Sequence, residues 1–162
     1  MAQVLLSLGS NIEPRKRYLS EAVSRLSELI EIKRVSGLYQ SASVGFEGDD
    51  FLNAALLAET DYTPIELLEI IHRIEQQGGR VRSEQIESYV SRTIDIDIVF
   101  YDRHILLTPV LIIPHPRFAE RNFVLKPLAE IYPDFIDPVS QLSLSELISK
   151  SSPSTDCILH AE

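Results

Sequence analysis

Isoleucine and aspartate alternate along the segment TIDIDI, residues 93–98. The β-branched and aromatic residues around it favour a strand, and successive side chains of a strand point to opposite faces of the sheet. The three isoleucines therefore share one face, and Asp95 and Asp97 share the other, roughly 6.6 Å apart along the backbone. The pattern predicts a half-buried strand over residues 92–101 that holds two like charges side by side.

The composition of the chain is that of an ordinary globular domain. Its 162 residues are 44% apolar and 24% charged, which suits one domain with a sizeable core. A formal net charge of -9 argues against a general binder of nucleic acid or of anionic membranes. The lone Cys157 excludes an internal disulfide, and no run of about 18 apolar residues predicts a membrane helix. We expect a cytoplasmic protein whose segment VLLSL is a strand and not part of a signal peptide.

Spacing and capping signals predict six main elements before residue 102. Thr63, Pro64 and Glu66 give a helix start with a capping box, and the glycines at 78 and 79 end that helix. Apolar residues at helical spacing predict an earlier helix, and GSN at residues 9–11 ends the first strand. The predicted elements are a strand at 3–8, a helix at 18–29, strands at 32–39 and 51–59, the capped helix, and the strand at 92–101.

This β-α-β-β-α-β order is typical of the α+β ferredoxin-like fold, with an antiparallel sheet and helices on one face. A short hairpin strand is expected around residues 105–107. Short helices follow at 123–131 and in SLSELI, where Ser143 and Glu146 form another capping box. We expect residues 1–162 to form a single domain with a loosely held tail over about 151–162.

The aspartate pair has two interpretations. On the solvent-facing side of an antiparallel strand, two charges are harmless. Alternatively, carboxylates held on one rigid face repel each other unless a cation lies between them, and Mg²⁺ binds one or two carboxylates together with substrate phosphates. The spacing of Asp95 and Asp97 suits such a clamp.

Three arginines flank the loop that leads into this strand, within GGRVRSEQIESYVSRT. Arg80, Arg82 and Arg92 are either solvated side chains or phosphate ligands, since guanidinium groups bind phosphate in a bidentate manner. In an acidic protein, an arginine cluster beside two aspartates favours phosphoryl transfer. No GxxxxGK[ST] loop is present, so side chains and metal would recognise the phosphates.

Two further segments offer a pocket wall. In IPHPRFAERNFVLKPLAEI, two prolines restrict the backbone at His115. This segment is either a rigid surface loop or a wall where His115 and Arg121 address phosphate and Phe123 stacks on a flat ring. In DDFLNAA, Asn53 is either a local hydrogen-bonding residue or a reader of a heteroaromatic edge, to which its amide offers donors and an acceptor.

Together these segments resemble the 6-hydroxymethyl-7,8-dihydropterin pyrophosphokinases of folate biosynthesis. The resemblance rests on LGSN, FLNAA, GRVR, SRTIDIDIVFY and IPHPR followed by FVLKPLAEI, which occur in the family's order and cover most of residues 3–135. It implies the ferredoxin-like fold and the transfer of diphosphate from ATP to the hydroxymethyl group of a reduced pterin, with release of AMP. It also implies two Mg²⁺ ions on Asp95 and Asp97, and no obligate protein partner is evident.

The resemblance assigns roles to individual residues, with Phe51 and Phe123 enclosing the pterin ring. The catalytic residues it implies are Arg80, Arg82, Arg92, Asp95 and Asp97. The ATP-binding residues it implies are Glu75, Arg82, Arg92, Ile98, His115 and Arg121. The pterin-binding residues it implies are Ser41, Val44, Phe51, Asn53, Tyr89, Asp95 and Phe123.

Departures from the family pattern are concentrated in the loop over residues 83–91. Ser88 and Tyr89 stand where arginine and tryptophan are frequent, and the loop is longer by about two residues. His72 replaces a glutamine-like contact to the adenosine, and Val110 and Ile112 replace polar residues seen in some members of the family. Two rival functions remain: a metal-dependent phosphohydrolase using the same carboxylates, and a ferredoxin-like ligand-binding module without catalysis.

Overall fold

A computed structural model describes residues 1–41, 50–78 and 94–151, together with the backbone of 157–159. A short 3₁₀ turn, Phe118–Glu120, precedes the third helix. The strands are β1 (Ala2–Ser10), β2 (Glu31–Val35), β3 (Tyr39–Ser41), β4 (Phe51–Thr60), β5 (Asp95–Tyr101), β6 (Leu106–Leu107), β7 (Ile112–Ile113) and β8 (Cys157–Leu159), and the helices are α1 (Arg15–Ser27), α2 (Pro64–Gln77), α3 (Asn122–Ile131) and α4 (Leu144–Lys150).

The main sheet places β1 at its centre. Its strand order is β5-β1-β4-β3-β8, and β2 also pairs with β4. All of these pairs are antiparallel. Strands β6 and β7 form a separate two-stranded sheet. The architecture is therefore a mixed α/β fold around an antiparallel sheet, as the sequence predicts.

Both faces of the sheet are covered by helices. On one face, α1 and α2 pack their apolar stripes on alternate residues of β1, β4 and β5, including the three isoleucines of TIDIDI. On the other face, α3, α4 and the 3₁₀ turn pack on Leu5, Leu57, Val99 and Phe100. The prediction that the isoleucines share one face is confirmed. The prediction of helices on one face is incomplete, because the C-terminal helices cover part of the other.

The first strand is longer than predicted. Gly9 and Ser10 continue β1 and pair with Asn53 and Leu52 of β4, although GSN predicts a turn. Gly9 also pairs with Asp95 of β5. Ladders on both sides of a strand outweigh the low strand propensity of glycine.

The strand predicted over 32–39 is instead divided into β2 and β3. Between them, the side chain of Ser36 makes one of the hydrogen bonds that a backbone carbonyl makes in a regular strand pair. Its backbone amide donates to the carbonyl of Ala55 at 2.9 Å, and its hydroxyl accepts from the amide of Ala55 at 2.8 Å. A side chain that takes a backbone partner interrupts the strand at that point.

The starts of the helices are predicted most accurately where the sequence carries a capping signal. The capping boxes predicted for α2 at Thr63 and for α4 at Ser143 are both present. Helix α1 starts three residues earlier than predicted, at Arg15, and its N-terminal residue Pro14 makes no side-chain cap. Without a cap, the sequence carries no clear signal for the start of that helix.

The C-terminal tail contributes one short strand. The backbone of Cys157–Leu159 pairs with β3, with Tyr39 opposite Leu159. Residues 152–156 and 160–162 lie outside the described part of the chain. None of the helices in the described ranges has the length and apolar character needed to cross a membrane.

Candidate functional site

The candidate site lies on the sheet face that α3 covers only in part. One row of residues crosses four strands at its open end. Asp95 of β5 pairs with Gly9 of β1, Gly9 pairs with Asn53 of β4, and Asn53 pairs with Tyr39 of β3. Adjacent strands are about 4.8 Å apart, so Asp95 and Asn53 lie about 10 Å from each other at the backbone, with Gly9 between them.

Gly9 forms the floor of this row. A Cβ atom there would lie 3.1 Å from Oδ1 of Asn53 and 3.5 Å from Cδ1 of Phe51. The absence of a side chain therefore leaves space directly over the sheet between Asp95 and Asn53. Sequence reasoning missed this role, since glycine at the end of a strand is more often part of a turn.

Asp95 and Asp97 both point from this face and are half-buried. They line a cleft with a volume of about 380 Å³. The cleft also collects side chains from α2, from the hairpin of β6 and β7, and from the segment after it. The other residues that line it are Leu68, His72, Glu75, Ile96, Ile98, Thr108, Pro109, Val110, Leu111, Ile112, His115 and Pro116.

Glu75 connects α2 to β5 inside this cleft. Its side chain is buried, and Oε2 accepts a hydrogen bond from the backbone amide of Ile96 at 3.0 Å. Ile96 lies between the two aspartates on an edge strand. The hydrogen bond from Glu75 therefore fixes the backbone between Asp95 and Asp97. The residue expected near ATP is thus part of the frame of the carboxylate pair.

His115 is fixed against β5 through its backbone. Its amide donates to the carbonyl of Val99 at 3.0 Å, and its Nδ1 accepts from the amide of Arg117 at 3.3 Å. The neutral ring therefore carries its proton on Nε2. Burial, together with the charge of Arg121, holds the pKa of His115 below its usual range, although Asp95 opposes this shift.

Asn53 is held in one orientation by β3. Its Nδ2 donates to the hydroxyl of Ser41 at 2.7 Å and to the carbonyl of Tyr39 at 3.2 Å. The side chains of Asn53 and Ser41 are both buried. The amide predicted to address a heteroaromatic edge therefore lies on the same row as Asp95.

The predicted aromatic residues border the same face. Phe51 and Phe123 are both half-buried, Phe51 at the start of β4 and Phe123 at the start of α3. The guanidinium carbon of Arg121 lies 5.8 Å from the centroid of the Phe123 ring, within the range of a cation–π contact. Arg121 and Phe123 are thus placed at the junction of the segment after His115 and α3.

Several predicted site residues are not tested by this geometry. Val44, Arg80, Arg82, Tyr89 and Arg92 lie outside the described residues, as do Ser88 and the loop over 83–91. Ile98 borders the cleft, but its side chain is buried in the core beneath α1 and α2. Only the backbone of Ile98 can therefore face a ligand there.

The structure adds residues that the sequence did not single out. Leu68 and the hairpin residues Thr108, Pro109 and Leu111 join His72, Val110 and Ile112 around the cleft. Val110 is 70% exposed and Ile112 is 42% exposed, so the hairpin forms an apolar lip. Nothing in the local sequence marks these residues, since short hairpins of this composition are common on protein surfaces.

Comparisons with known proteins agree on one family. A family model described as 7,8-dihydro-6-hydroxymethylpterin-pyrophosphokinase (HPPK) matches residues 5–133. The chain is 37% identical over 160 residues to the 2-amino-4-hydroxy-6-hydroxymethyldihydropteridine pyrophosphokinase of Aquifex aeolicus, and the match covers 98% of each. It is 43% identical over 129 residues to the protein of the same name from Bacillus subtilis, covering 78% of this chain and 75% of that one.

A solved structure shows the same fold at low sequence identity. The structure of Plasmodium falciparum HPPK-DHPS wild type with SDX-DHP has a TM-score of 0.69 and 17% identity, and the match covers 93% of this chain and 43% of that chain. The resemblance predicted from the motifs is confirmed by the family model and by the two bacterial relatives. The chain belongs to the 7,8-dihydro-6-hydroxymethylpterin-pyrophosphokinase family.

Proposed function

We propose that this protein transfers diphosphate from ATP to the hydroxymethyl group of 6-hydroxymethyl-7,8-dihydropterin and releases AMP, a step of folate synthesis. The observation that carries the proposal is the row from Asp95 through Gly9 to Asn53. A carboxylate suited to cations and a buried amide suited to a heteroaromatic edge face one space over the sheet. Family membership supports the same reaction.

The carboxylate pair fits Mg²⁺. Asp95 and Asp97 supply hard oxygen donors from one face of β5, and Glu75 braces the strand between them. The described residues hold no cluster of three or more metal-binding side chains. Two carboxylates with no further ligand in the described part of the chain suit a metal that takes its remaining ligands from water and phosphate oxygens. We infer two ions here, which when bound offset the charge of the triphosphate and of the departing AMP.

The ATP side of the site is assigned to the cleft beside β5. We assign the binding of phosphate oxygens to His115, through its Nε2 proton, and to Arg121, which lies on the segment after it. Leu68, His72 and the apolar lip of the hairpin suit the flat base and the ribose. To Ile98, on the edge strand β5, we assign backbone hydrogen bonds to the base.

The pterin side is assigned to the space above Gly9. Phe51 and Phe123 would enclose the ring, and Asn53 would hydrogen-bond its edge. The half-buried state of both aromatic side chains supports this role, since each is partly exposed at the edge of this space. Asp95 lies on the same row and is shared between the two sides.

The reaction requires no nucleophile from the protein. The hydroxymethyl oxygen forms a bond to the β-phosphorus, and the bond from that phosphorus to the oxygen bridging to the α-phosphorus breaks. The bridging oxygen leaves with AMP, and the hydroxyl proton passes to solvent. The protein contributes positioning and a fixed electrostatic environment. Arg80, Arg82 and Arg92 are proposed to share the phosphate charge, and Tyr89 and Val44 to contact the pterin.

The strand order also supports a ferredoxin-like core. With β2 and β3 taken together as the second strand of the motif, the order β5-β1-β4-β2 corresponds to the fourth, first, third and second strands of a β-α-β-β-α-β unit. We infer a single pyrophosphokinase domain in which the hairpin and the C-terminal helices are additions to that unit.

One assay distinguishes the proposed function from its rivals. The protein is incubated with ATP, Mg²⁺ and 6-hydroxymethyl-7,8-dihydropterin, and the nucleotide products are separated. Release of AMP that requires the pterin is the expected result. Formation of ADP or phosphate without the pterin would indicate a phosphohydrolase. Binding of both ligands without any turnover would indicate a ligand-binding module.

A further inference from the structure

The side-chain amide of Asn53 has a fixed polarity. Both of its N–H groups are used within the protein, one by the hydroxyl of Ser41 at 2.7 Å and one by the carbonyl of Tyr39 at 3.2 Å. A backbone carbonyl can only accept, so Nδ2 and not Oδ1 must face Tyr39. These partners fix the orientation of the amide, because a flipped amide would place Oδ1 of Asn53 against the carbonyl oxygen of Tyr39.

The remaining polar atom, Oδ1, lies beside the space over Gly9. It has no hydrogen-bond partner among the described residues, and it is not among their fully buried unsatisfied atoms. A Cβ at position 9 would lie 3.1 Å from it, so Gly9 keeps this oxygen accessible. An accessible acceptor on an otherwise buried side chain is suited to read a donor on a ligand.

We propose that Ser41 is a positioning residue that restrains Asn53 so that the site reads only a ring N–H donor of the pterin. The inference rests on the proposed function and deepens it. Reduced pterins carry ring donors at N3 and N8. A 2,4-diamino analogue has a lone pair at N3, and an oxidised pterin has a lone pair at N8. A fixed acceptor rejects whichever of these ligands places a lone pair opposite Oδ1.

Ser41 matters for this selection because its hydroxyl occupies one of the two N–H groups of the Asn53 amide. That N–H group is then not available to an acceptor on a ligand. Without its hydroxyl, Nδ2 keeps only the longer hydrogen bond to Tyr39 and can turn one N–H toward a ligand acceptor. Ser41→Ala is therefore expected to weaken binding of the natural pterin about three- to tenfold, the scale of one lost hydrogen bond. It should weaken binding of the disfavoured analogue less, so the ratio of the two affinities narrows.

The experiment measures calorimetric affinities of the full chain, with a non-hydrolysable ATP analogue and Mg²⁺ present. The ligands are 6-hydroxymethyl-7,8-dihydropterin, its 2,4-diamino analogue and oxidised 6-hydroxymethylpterin. Ser41→Thr is the matched control, because it keeps the hydroxyl. We expect the wild type and Ser41→Thr to disfavour at least one analogue about 100-fold or more. We expect Ser41→Ala to reduce that ratio several-fold.

Equal weakening of all three ligands in Ser41→Ala would overturn the proposal, because it would indicate a merely structural role. Discrimination below threefold against both analogues by the wild type would also overturn it. A second variant, Gly9→Ala, removes no hydrogen bond and is compatible with a strand. It should weaken pterin binding tenfold or more by crowding Oδ1, with folding checked by the circular dichroism spectrum and a cooperative thermal transition. Unchanged pterin affinity in Gly9→Ala would count against Oδ1 as the reading atom.

The proposed function is tested separately from this inference. Pterin-dependent release of AMP by the wild type depends on catalysis and not on how the ring is read. If AMP is released but the affinity ratios do not change, only the role of Ser41 is wrong. If the pterin binds with the expected ratios but no AMP forms, the role of Ser41 stands and the catalytic assignment is wrong.

Discussion

The two faces of the central sheet differ in how completely they are covered. The face beneath α1 and α2 is closed by aliphatic side chains, which include Ile94, Ile96 and Ile98. The opposite face is packed by α3 and α4 only over one part, and its open end carries Asp95, Gly9 and Asn53. The same strand thus supplies core packing with one set of residues and chemistry with the alternate set. This division implies that stability and activity can be altered separately.

The largest expected effect comes from the carboxylates on the open face. Asp95→Ala and Asp97→Ala should each lower the rate of AMP release by 10²- to 10³-fold or more, the scale of losing a preorganised electrostatic contact. Unfolding midpoints measured in EDTA should change far less than the turnover, because each half-buried carboxylate lies outside the packed core and each change removes one of two neighbouring like charges. Asp61→Ala, at an exposed position outside the site, serves as a control and should change neither property. Near-normal turnover by both variants at ordinary Mg²⁺ concentrations would contradict the metal assignment.

The opposite result is expected one residue away, on the closed face. Ile96 is 4% exposed and packs beneath α1 and α2. Ile96→Ala should reduce the free energy of unfolding by about 2–5 kcal/mol, since it leaves a cavity in a packed core. Urea denaturation measures this loss, and the rate per folded molecule should change far less than in the aspartate variants. If Ile96→Ala kept its stability but lost all turnover, the proposed division between a core face and an active face would be wrong.

Phe123→Ala tests whether the open face is itself divided between its two ligands. Loss of stacking should weaken pterin binding by about 1–3 kcal/mol, by analogy with aromatic stacking on nucleic acid bases. ATP binding should change little, because the nucleotide is assigned to the cleft beside β5. Calorimetry with each ligand gives both values. Equal weakening of the two ligands would indicate a general collapse of the pocket wall.

The smallest expected effect is a pH dependence that arises at His115 on the open face. The pKa of His115 is lowered in the folded protein, chiefly by burial and by Arg121. Below about pH 6.5 the unfolded chain therefore binds a proton before the folded one does, and stability falls as the pH drops toward the lowered pKa. Above pH 6.5 the group is neutral in both states and contributes no slope.

His115→Gln should remove this part of the acid sensitivity. The measurement is the free energy of unfolding at pH 7.5 and pH 5.5 without ligands. His104→Gln, which replaces an exposed histidine, is the matched control. If His115→Gln loses as much stability between the two pH values as the wild type does, then His115 does not carry the predicted proton linkage.

The alternation of isoleucine and aspartate was sufficient to predict the two faces of β5, because side chains of a strand alternate whatever the strand pairs with. The helix starts at Thr63 and Ser143 were likewise predictable, because a capping box is contained within four residues. The motifs around Asp95, His115 and Asn53 were enough to predict the family. These features depend on local geometry or on the order of motifs, and both can be read from the chain.

Tertiary structure decided how those parts meet. Only the register of β1 between β4 and β5 makes Gly9 the floor between Asp95 and Asn53. Only the pairing of β3 with β4 brings Ser41 and the carbonyl of Tyr39 to Asn53. Because these two groups take both N–H donors of the amide, only its oxygen is left to accept from a ligand. Only the packing of α2 on β5 assigns the buried carboxylate of Glu75 to the amide of Ile96. These contacts join residues far apart in sequence, and their partners are set by strand register and helix docking rather than by any local pattern.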